Sequence, residues 1–206
     1  MPIYYSAYAI PWRWEFTDSI EMPVGRRDGN CGYYALTECF SAKGGLMAIQ
    51  IGATIPDVEL KIMGKERPES VQTGELFQGK RVVLFALPGA FTPTCSKFHL
   101  PGYIELSDQI RDNGVDLIIC LSVNDAWVMA AWGDVHGAGE QVMMLADGNA
   151  EFTKAIGLDS DLSGAGFGVR SLRYSIVVND GVVTHLNVEE PRKFEVSDAN
   201  SMLALL

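Results

Sequence analysis

The chain has few cysteines and no long apolar segment, and both shortages narrow the classes of protein to which it can belong. Its four cysteines are scattered over 206 residues, too few for the disulfide scaffold of a small secreted protein. No apolar stretch approaches the roughly 20 residues that a helix needs to span a bilayer. The cysteine usage predicts a reducing compartment, with the cytoplasm as the default.

Positive charge is also scarce. Sixteen Lys and Arg residues stand against 26 Asp and Glu residues, which gives a formal net charge of −10. This balance argues against nucleic acid or an anionic membrane surface as the main partner. The N-terminus lacks the basic segment followed by an apolar one that marks a secretory signal, and its excess of acidic side chains fits a mitochondrial presequence poorly.

Several motifs of metal and cofactor chemistry are missing. The three histidines show no ligand-like spacing to one another or to the cysteines, so no metal site is predicted. The glycine-rich segment 163–169 does not follow the G-x-G-x-x-G pattern, which disfavours a dinucleotide site. Thr92 stands where a C-x-x-C motif would have its first cysteine, so dithiol exchange of the thioredoxin kind is disfavoured too.

Composition divides the chain into two segments. Residues 1–46 hold nine of the twenty aromatic residues and show no clear helical or strand period. The segment "AKGGL" (42–46) has the composition of a flexible joint, and Met47 opens a stretch that looks like the start of a domain. We predict an atypical extension over 1–46 and one domain over 47–206. The extension is either a non-catalytic appendage or a docking arm.

From residue 47 onward, strand-like and helix-like patterns alternate. The predicted strands are 82–87, 115–123, 142–145, 174–178 and 182–188. The predicted helices are 94–113, 124–135, 148–157 and 197–206. Strands joined by helices should be parallel, whereas the "NDG" turn at 179–181 should make the last two strands an antiparallel hairpin. The order predicts an α/β fold, a three-layer α/β/α sandwich with a mixed central sheet like that of thioredoxin.

The segment "PGAFTPTCS" (88–96) places a lone thiol in a rigid loop. Cys95 lies where a strand ends and a helix begins, and the unpaired N–H groups of a helix start favour a thiolate, which is the attacking form. Pro88 and Pro93 stiffen the loop but cannot donate, so the free donors should be the N–H groups of Thr94 and Cys95. Thr92 lies three residues before the thiol, which lets its hydroxyl face the sulfur or its reaction partner. This setting favours a nucleophile over a structural cysteine.

These residues resemble a known active-site signature, Pro88-x-x-x-Thr92-x-x-Cys95 of the peroxiredoxins. The segments "KFHLPGY", "CLSVNDAWV", "LADGNAEFTKAIGL" and "RYSIVVNDGVV" resemble the type II branch of that family, whose members depend on glutathione or thioredoxin. The resemblance extends from about residue 51 to the end of the chain, so it covers almost the whole predicted domain.

The resemblance implies a role for each residue of the signature. Cys95 would attack the peroxide and become a sulfenic acid, while Thr92 would hold the peroxide through its hydroxyl. Pro88 would shield the oxidised sulfur from water. Arg173 matches the family's arginine, which supplies a permanent cation beside the thiolate. Arg170 is the nearby alternative, and its place in a glycine-rich loop fits the pattern less well.

Two further residues are predicted to contact the substrate. Thr94 belongs to the same loop, and His99 follows Cys95 by about one helical turn. A Cys–His pair suggests a nucleophile and its base, but the position of His99 within the family's pattern favours a secondary residue of the pocket.

Within residues 47–206, the sequence does not suggest an internal disulfide partner for Cys95. Cys120 lies within the apolar run "LIICLSV" and is interpreted as a small buried hydrophobe rather than a resolving thiol. The segment "KFEVSDANS" near the C-terminus holds no cysteine. Cys31 and Cys39 lie in the extension, where they could pair with each other or resolve Cys95. The chain resembles the one-cysteine subgroup of type II peroxiredoxins.

The resemblance implies a thiol-specific peroxidase that reduces hydrogen peroxide and organic hydroperoxides to water and alcohols. It also implies an external thiol as reductant, either glutathione with glutaredoxin or thioredoxin, together with a homodimer and no metal, flavin or haem. The alternative hypothesis is a non-catalytic redox sensor or holdase that signals through oxidised Cys95. A sensor would react once per thiol and stop, whereas a peroxidase turns over.

Overall fold

A seven-stranded mixed sheet forms the centre of the computed structural model, which describes residues 47–206. Its strands are β1 (Glu59–Met63), β2 (Pro68–Gln72), β3 (Arg81–Leu87), β4 (Leu117–Ser122), β5 (Met143–Ala146), β8 (Tyr174–Asn179) and β9 (Val182–Val188). They lie side by side in the order β2-β1-β5-β4-β3-β8-β9. Strands β3, β4 and β5 are parallel, and the other pairs are antiparallel. Two short strands, β6 (Asp159–Asp161) and β7 (Val169–Ser171), pair separately.

Helices cover both faces of this sheet. They are α1 (Thr73–Phe77), α2 (Leu100–Glu105), α3 (Ser107–Asp112), α4 (Ala126–His136), α5 (Glu151–Ala155) and α6 (Ala199–Leu203). Because side chains alternate along a strand, β3 sends Val83 and Phe85 into a core shared with α2, α3, α4 and α6. Its Val82 and Leu84 enter a second core on the opposite face, shared with α1 and α5. The predicted thioredoxin-like three-layer sandwich is confirmed.

The strands predicted from apolar runs are all present with small shifts at their ends. The hairpin turn follows the "NDG" signal, with Asp180 and Gly181 at φ angles of 47° and 76°. The hairpin of β1 and β2, helix α1 and the ribbon of β6 and β7 were not predicted. Strand β2, "PESVQ", is largely polar and lies at the edge of the sheet, so it carries no buried apolar face for a pattern to reveal.

The predicted helix 94–113 is divided into three parts. A π-type turn spans Cys95–His99, α2 follows it directly, and α3 begins after an interruption at Leu106. Pro101 does not interrupt α2: it lies in the first turn, and the helix continues through it. The irregularity lies instead on the N-terminal side of the proline, in the π-type turn.

The predicted boundary between residues 46 and 47 remains a prediction, because the extension lies outside the described residues. Within residues 47–206, no helix combines the length and the apolar character that crossing a membrane would require.

Candidate active site

The loop between β3 and the π-type turn is held at the carboxyl ends of two parallel strands. The N–H of Ala90 donates to the Asn124 side-chain oxygen at 2.9 Å, and Ser122, the last residue of β4, donates its hydroxyl to that same oxygen at 2.8 Å. Phe91 has a φ angle of 60°, which is uncommon for a residue with a side chain and makes the loop turn sharply. The end of a parallel strand pair is where open α/β sheets place their ligands.

Cys95 is the first residue of the π-type turn. The N–H of Leu100 donates to the Cys95 carbonyl, a hydrogen bond that skips one residue more than an α-helical bond does. Pro101 has no N–H with which to continue the α-helical pairing to Lys97, and its ring needs extra room on that side. The wider turn just before the proline provides this room, and such turns are frequent at functional sites.

Arg173 brings a cation to the thiol from a distant part of the chain. Its Nη2 donates to the Cys95 sulfur at 3.3 Å, although the two residues are 78 positions apart. The sheet explains the meeting: Ala86, near the end of β3, pairs with Tyr174, the first residue of the antiparallel β8. Arg173 precedes β8 and therefore lies level with the loop that carries Cys95. The sulfur is fully buried, so its attraction to the cation is little screened by water.

His99 is buried behind Arg173 with both ring nitrogens engaged. Nε2 lies 3.1 Å from the carbonyl oxygen of Ser197, and Nδ1 lies 2.9 Å from Nη1 of Arg173. A carbonyl only accepts and a guanidinium only donates, so the proton is on Nε2 and Nδ1 is the acceptor. Burial, and next the positive charge of Arg173, lower the pKa of His99 to about 3. The ring is therefore neutral near pH 7 and lies beside the guanidinium rather than in an open cavity.

The other residues of the predicted signature line two cavities beside Arg173. Pro88, Thr94 and Arg173 line a cavity of about 430 Å³, and they also line a neighbouring one of about 250 Å³ together with Thr92. The Thr92 hydroxyl donates to the Gly89 carbonyl at 2.8 Å rather than to the sulfur, which leaves its oxygen lone pairs as acceptors.

Arg170 does not reach the thiol. Its Nη1 donates to the Val123 carbonyl at 3.0 Å and its Nε to the Phe167 carbonyl at 2.9 Å, while its guanidinium lies 5.6 Å from the Phe167 ring centre. Of the two arginines that the sequence offered, Arg173 is the one in contact with Cys95.

Residues 50–203 match the Redoxin family. The peroxiredoxin sll1621 of Synechocystis is 51% identical over 68% of this chain and 77% of its own length. Peroxiredoxin-2E of Arabidopsis thaliana, a chloroplastic protein, is 43% identical over 84% of this chain and 75% of its own length. The chain belongs to the redoxin family, in its type II peroxiredoxin branch. Its thiol peroxidase activity follows from that membership.

A solved peroxiredoxin has the same fold. The reduced Prx3 of Vibrio vulnificus, crystallised with hydrogen peroxide, superposes with a TM-score of 0.74 at 55% identity. The match covers 76% of this chain and 98% of that one. Nearly the whole Vibrio protein therefore corresponds to residues within this peroxiredoxin.

The second described cysteine of this peroxiredoxin has a different setting. Cys120 is fully buried in the middle of β4, and both it and Cys95 are free thiols. Burial raises the pKa of Cys120 well above its ordinary value, and a negative charge on Cys95 would raise it further. The interpretation of Cys120 as a buried hydrophobe fits these surroundings. Cys31 and Cys39 lie outside the described residues.

Some groups that organise this site were not predicted. Asn124 and Asp125 both precede α4, but Asp125 caps the helix by accepting from the Val128 N–H at 2.9 Å, and Asn124 instead holds the Cys95 loop. The Ser197 carbonyl that binds His99 is a backbone group and leaves no mark on the sequence.

Within residues 47–206, no group of three or more His, Cys, Asp or Glu side chains is close enough together to hold a metal ion.

Proposed function

We propose that Cys95 is the peroxidatic nucleophile of this thiol peroxidase and that glutathione, delivered with glutaredoxin, is its reductant. The observation that carries the catalytic assignment is the contact of 3.3 Å between the Arg173 guanidinium and the Cys95 sulfur. A fixed cation at that distance stabilises the thiolate, and its remaining N–H donors suit the oxygen atoms of a peroxide.

The first half of the reaction oxidises the sulfur. The Cys95 thiolate attacks the terminal oxygen of a hydroperoxide, so that a sulfur–oxygen bond forms as the oxygen–oxygen bond breaks. The sulfur becomes a sulfenic acid, and the departing alkoxide or hydroxide takes a proton from water to leave as an alcohol or as water. Arg173 stabilises the charge that moves onto the oxygens, and the Thr92 oxygen accepts a hydrogen bond from the peroxide O–H.

The remaining signature residues act on access and position. Pro88 and Thr94 flank the cavity beside Arg173, so we assign them to the route that a peroxide takes to the buried sulfur. His99 was predicted as a substrate contact; its burial and its contact with Arg173 favour a role in holding the guanidinium instead. With the ring neutral near pH 7, direct proton donation by His99 is disfavoured.

The second half of the reaction returns the thiol. One glutathione thiolate attacks the sulfenic sulfur and expels hydroxide, which takes a proton from solvent to become water, and a mixed disulfide is left on Cys95. A second thiol, that of glutaredoxin or glutathione, attacks the glutathione sulfur and frees the Cys95 thiolate. One hydroperoxide is reduced for every two thiols oxidised, and no resident cofactor is needed.

Steady-state peroxide consumption tests this proposal. We expect many turnovers per chain with glutathione, glutaredoxin and glutathione reductase, and slower consumption with thioredoxin and its reductase. Faster turnover with thioredoxin would contradict glutathione as the reductant and would still support the peroxidase activity. Consumption that stops after one equivalent per thiol with either system would support the redox-sensor alternative.

Peptide mapping without reducing agent tests the one-cysteine cycle. After one equivalent of peroxide, Cys95 should carry a sulfenic acid, and added glutathione should convert it to a glutathione adduct. A dominant disulfide between Cys95 and Cys120 would overturn this cycle. A link from Cys95 to Cys31 or Cys39 would make the extension part of it.

We also propose that the protein forms a homodimer and is located in the cytoplasm. Sedimentation of the purified chain decides the first, and a single protomer at micromolar concentration would contradict it. Cell fractionation decides the second. It is needed because the Arabidopsis relative is chloroplastic.

A further inference from the structure

Glu189 directly follows β9, and its side chain gathers the donors of a neighbouring turn. It is only 7% exposed, and its Oε1 accepts hydrogen bonds from the N–H groups of Glu195, Val196 and Ser197 at 2.8, 2.9 and 2.8 Å. The Ser197 hydroxyl donates to the same oxygen at 2.8 Å. Burial alone would raise the pKa of Glu189, but these donors hold it below the ordinary value. The group is a carboxylate that fixes the 195–197 turn.

This turn contacts the active site through the Ser197 carbonyl. The carbonyl oxygen lies 3.1 Å from His99 Nε2 and accepts from the Tyr103 hydroxyl at 2.9 Å. Because Nε2 must carry the proton to make this bond, Nδ1 is free to accept from Arg173. A continuous series of hydrogen bonds therefore connects the Glu189 carboxylate to the guanidinium that contacts Cys95.

Glu189 also holds Arg173 through the main chain. Its N–H donates to the Arg173 carbonyl at 2.9 Å. The backbone of the arginine is thus fixed by the backbone of Glu189, and its guanidinium is fixed through His99 by the Glu189 side chain. These two restraints are separable, because a side-chain substitution removes only the second.

We propose that the Glu189 carboxylate is a positioning group for Cys95, which holds the Arg173 guanidinium against the thiolate through the Ser197 carbonyl and His99. The carboxylate does not touch the sulfur, so it acts only through these residues. The proposal rests on the peroxidase function proposed above and adds a residue to its machinery. A purely structural role would end at the 195–197 turn and would not reach the thiol.

The decisive variant is Glu189→Gln, which keeps the shape of the side chain and removes the charge that strengthens four hydrogen bonds. Its matched control is Glu190→Gln, which removes the same charge from the adjacent exposed residue. Both are made in a background where Cys31, Cys39 and Cys120 are serine, so that Cys95 is the one thiol. The ultraviolet absorbance of its thiolate is then followed as a function of pH.

We expect the thiolate of Glu189→Gln to form at higher pH than that of the parent and of Glu190→Gln. The rate of the first oxidation by hydrogen peroxide should fall by about tenfold, the size of one weakened charge-assisted hydrogen bond. An unshifted thiolate titration in a folded Glu189→Gln protein would overturn the proposal. Should that variant lack the native circular dichroism spectrum, Ser197→Ala replaces it, with a smaller shift expected in the same direction and no shift counting against the proposal.

A double-mutant comparison tests the route. If Glu189 acts through His99, the loss of oxidation rate caused by Glu189→Gln should shrink to below about twofold in a His99→Asn background. Equal losses in both backgrounds would contradict transmission through His99. The thiolate titration needs neither peroxide nor reductant. Absence of turnover by the parent protein would therefore count against the peroxidase function alone, and an unshifted titration with normal turnover would count against the Glu189 proposal alone.

Discussion

Cys95 and Cys120 are equally buried, yet different groups surround their sulfur atoms. Both are fully inaccessible and belong to the same apolar core. Cys95 lies at the junction of a strand and a helix with a guanidinium 3.3 Å from its sulfur. Cys120 lies in mid-strand, paired with Phe85 of β3 and Met144 of β5, and burial raises its pKa. Burial by itself keeps a thiol protonated, and burial beside a fixed cation favours the thiolate.

Replacing each cysteine with serine should give the largest difference in peroxidase activity between the two positions. Cys95→Ser should reduce peroxide consumption to background, because a hydroxyl at this position is a poor nucleophile. Cys120→Ser should retain most of the activity and lose roughly 1–3 kcal/mol of stability, since its buried hydroxyl replaces a weaker hydrogen-bonding group in an apolar strand. Consumption is measured with excess glutathione and glutaredoxin, and stability by urea unfolding. Substantial turnover by Cys95→Ser would refute the assignment of the nucleophile.

Removing the cation should reduce the difference between the two thiols. Arg173→Ala should slow the oxidation of Cys95 by about 100- to 1,000-fold, the loss typical of removing one preorganised donor. Arg170→Ala is the matched control and should cost much less, because Arg170 donates to backbone carbonyls instead of the sulfur. The oxidation is followed in stopped flow by the fluorescence of the tryptophans, including Trp132, whose indole N–H donates to Ser96 beside Cys95. Equal losses in two folded variants would contradict the distinction.

The neutral state of His99 distinguishes the Cys95 region in its response to acid. The pKa of this ring is about 3 in the folded chain and about 6.5 when unfolded, so between those values only the unfolded chain binds the proton. Stability is therefore lost as the pH falls from about 6.5 towards 3, by about 2–3 kcal/mol at about pH 4.5. Urea unfolding of the parent and of His99→Asn, at about pH 6.5 and about pH 4.5, should show that the free energy of unfolding depends less on pH in the variant. An unchanged dependence would contradict the buried neutral ring.

The smallest effect is expected from removing the extension. A chain that begins at Met47 should fold and reduce peroxide almost as fast as the full chain, because every residue assigned to the site lies after that point. Circular dichroism and steady-state peroxide consumption measure the two properties. Aggregation or inactivity of the shortened chain would show that the extension contributes to the core or to an interface between subunits.

Local signals in the sequence predicted the strands and the loop that surround Cys95. Apolar runs located β3 and β4, and the Pro, Thr and Cys spacing located the loop between β3 and the helix. The pairing of Cys95 with Arg173 rested on a family resemblance, since no local pattern connects residues 78 positions apart. That contact follows physically from β3 and β8 being antiparallel neighbours in the sheet.

The parts that the sequence did not reveal are those that depend on backbone groups or on polar edges. The ring of His99 is fixed by the Ser197 carbonyl, and a carbonyl is present at every residue. Nothing local separates Glu189, with four donors on one oxygen, from the exposed Glu190 beside it. Strand β2 was not predicted because its residues are mostly polar.

The π-type turn at Cys95 also sets the direction in which the nucleophile points. Its Leu100-to-Cys95 hydrogen bond encloses one residue more than an α-helical bond. Each residue of an α-helix advances the side-chain direction by about 100°. Deleting one residue between Cys95 and Leu100 would give this one hydrogen bond α-helical spacing, but it would rotate the thiol by about that angle around the helix axis and away from Arg173. The extra residue in the π-type turn therefore directs the Cys95 sulfur towards Arg173.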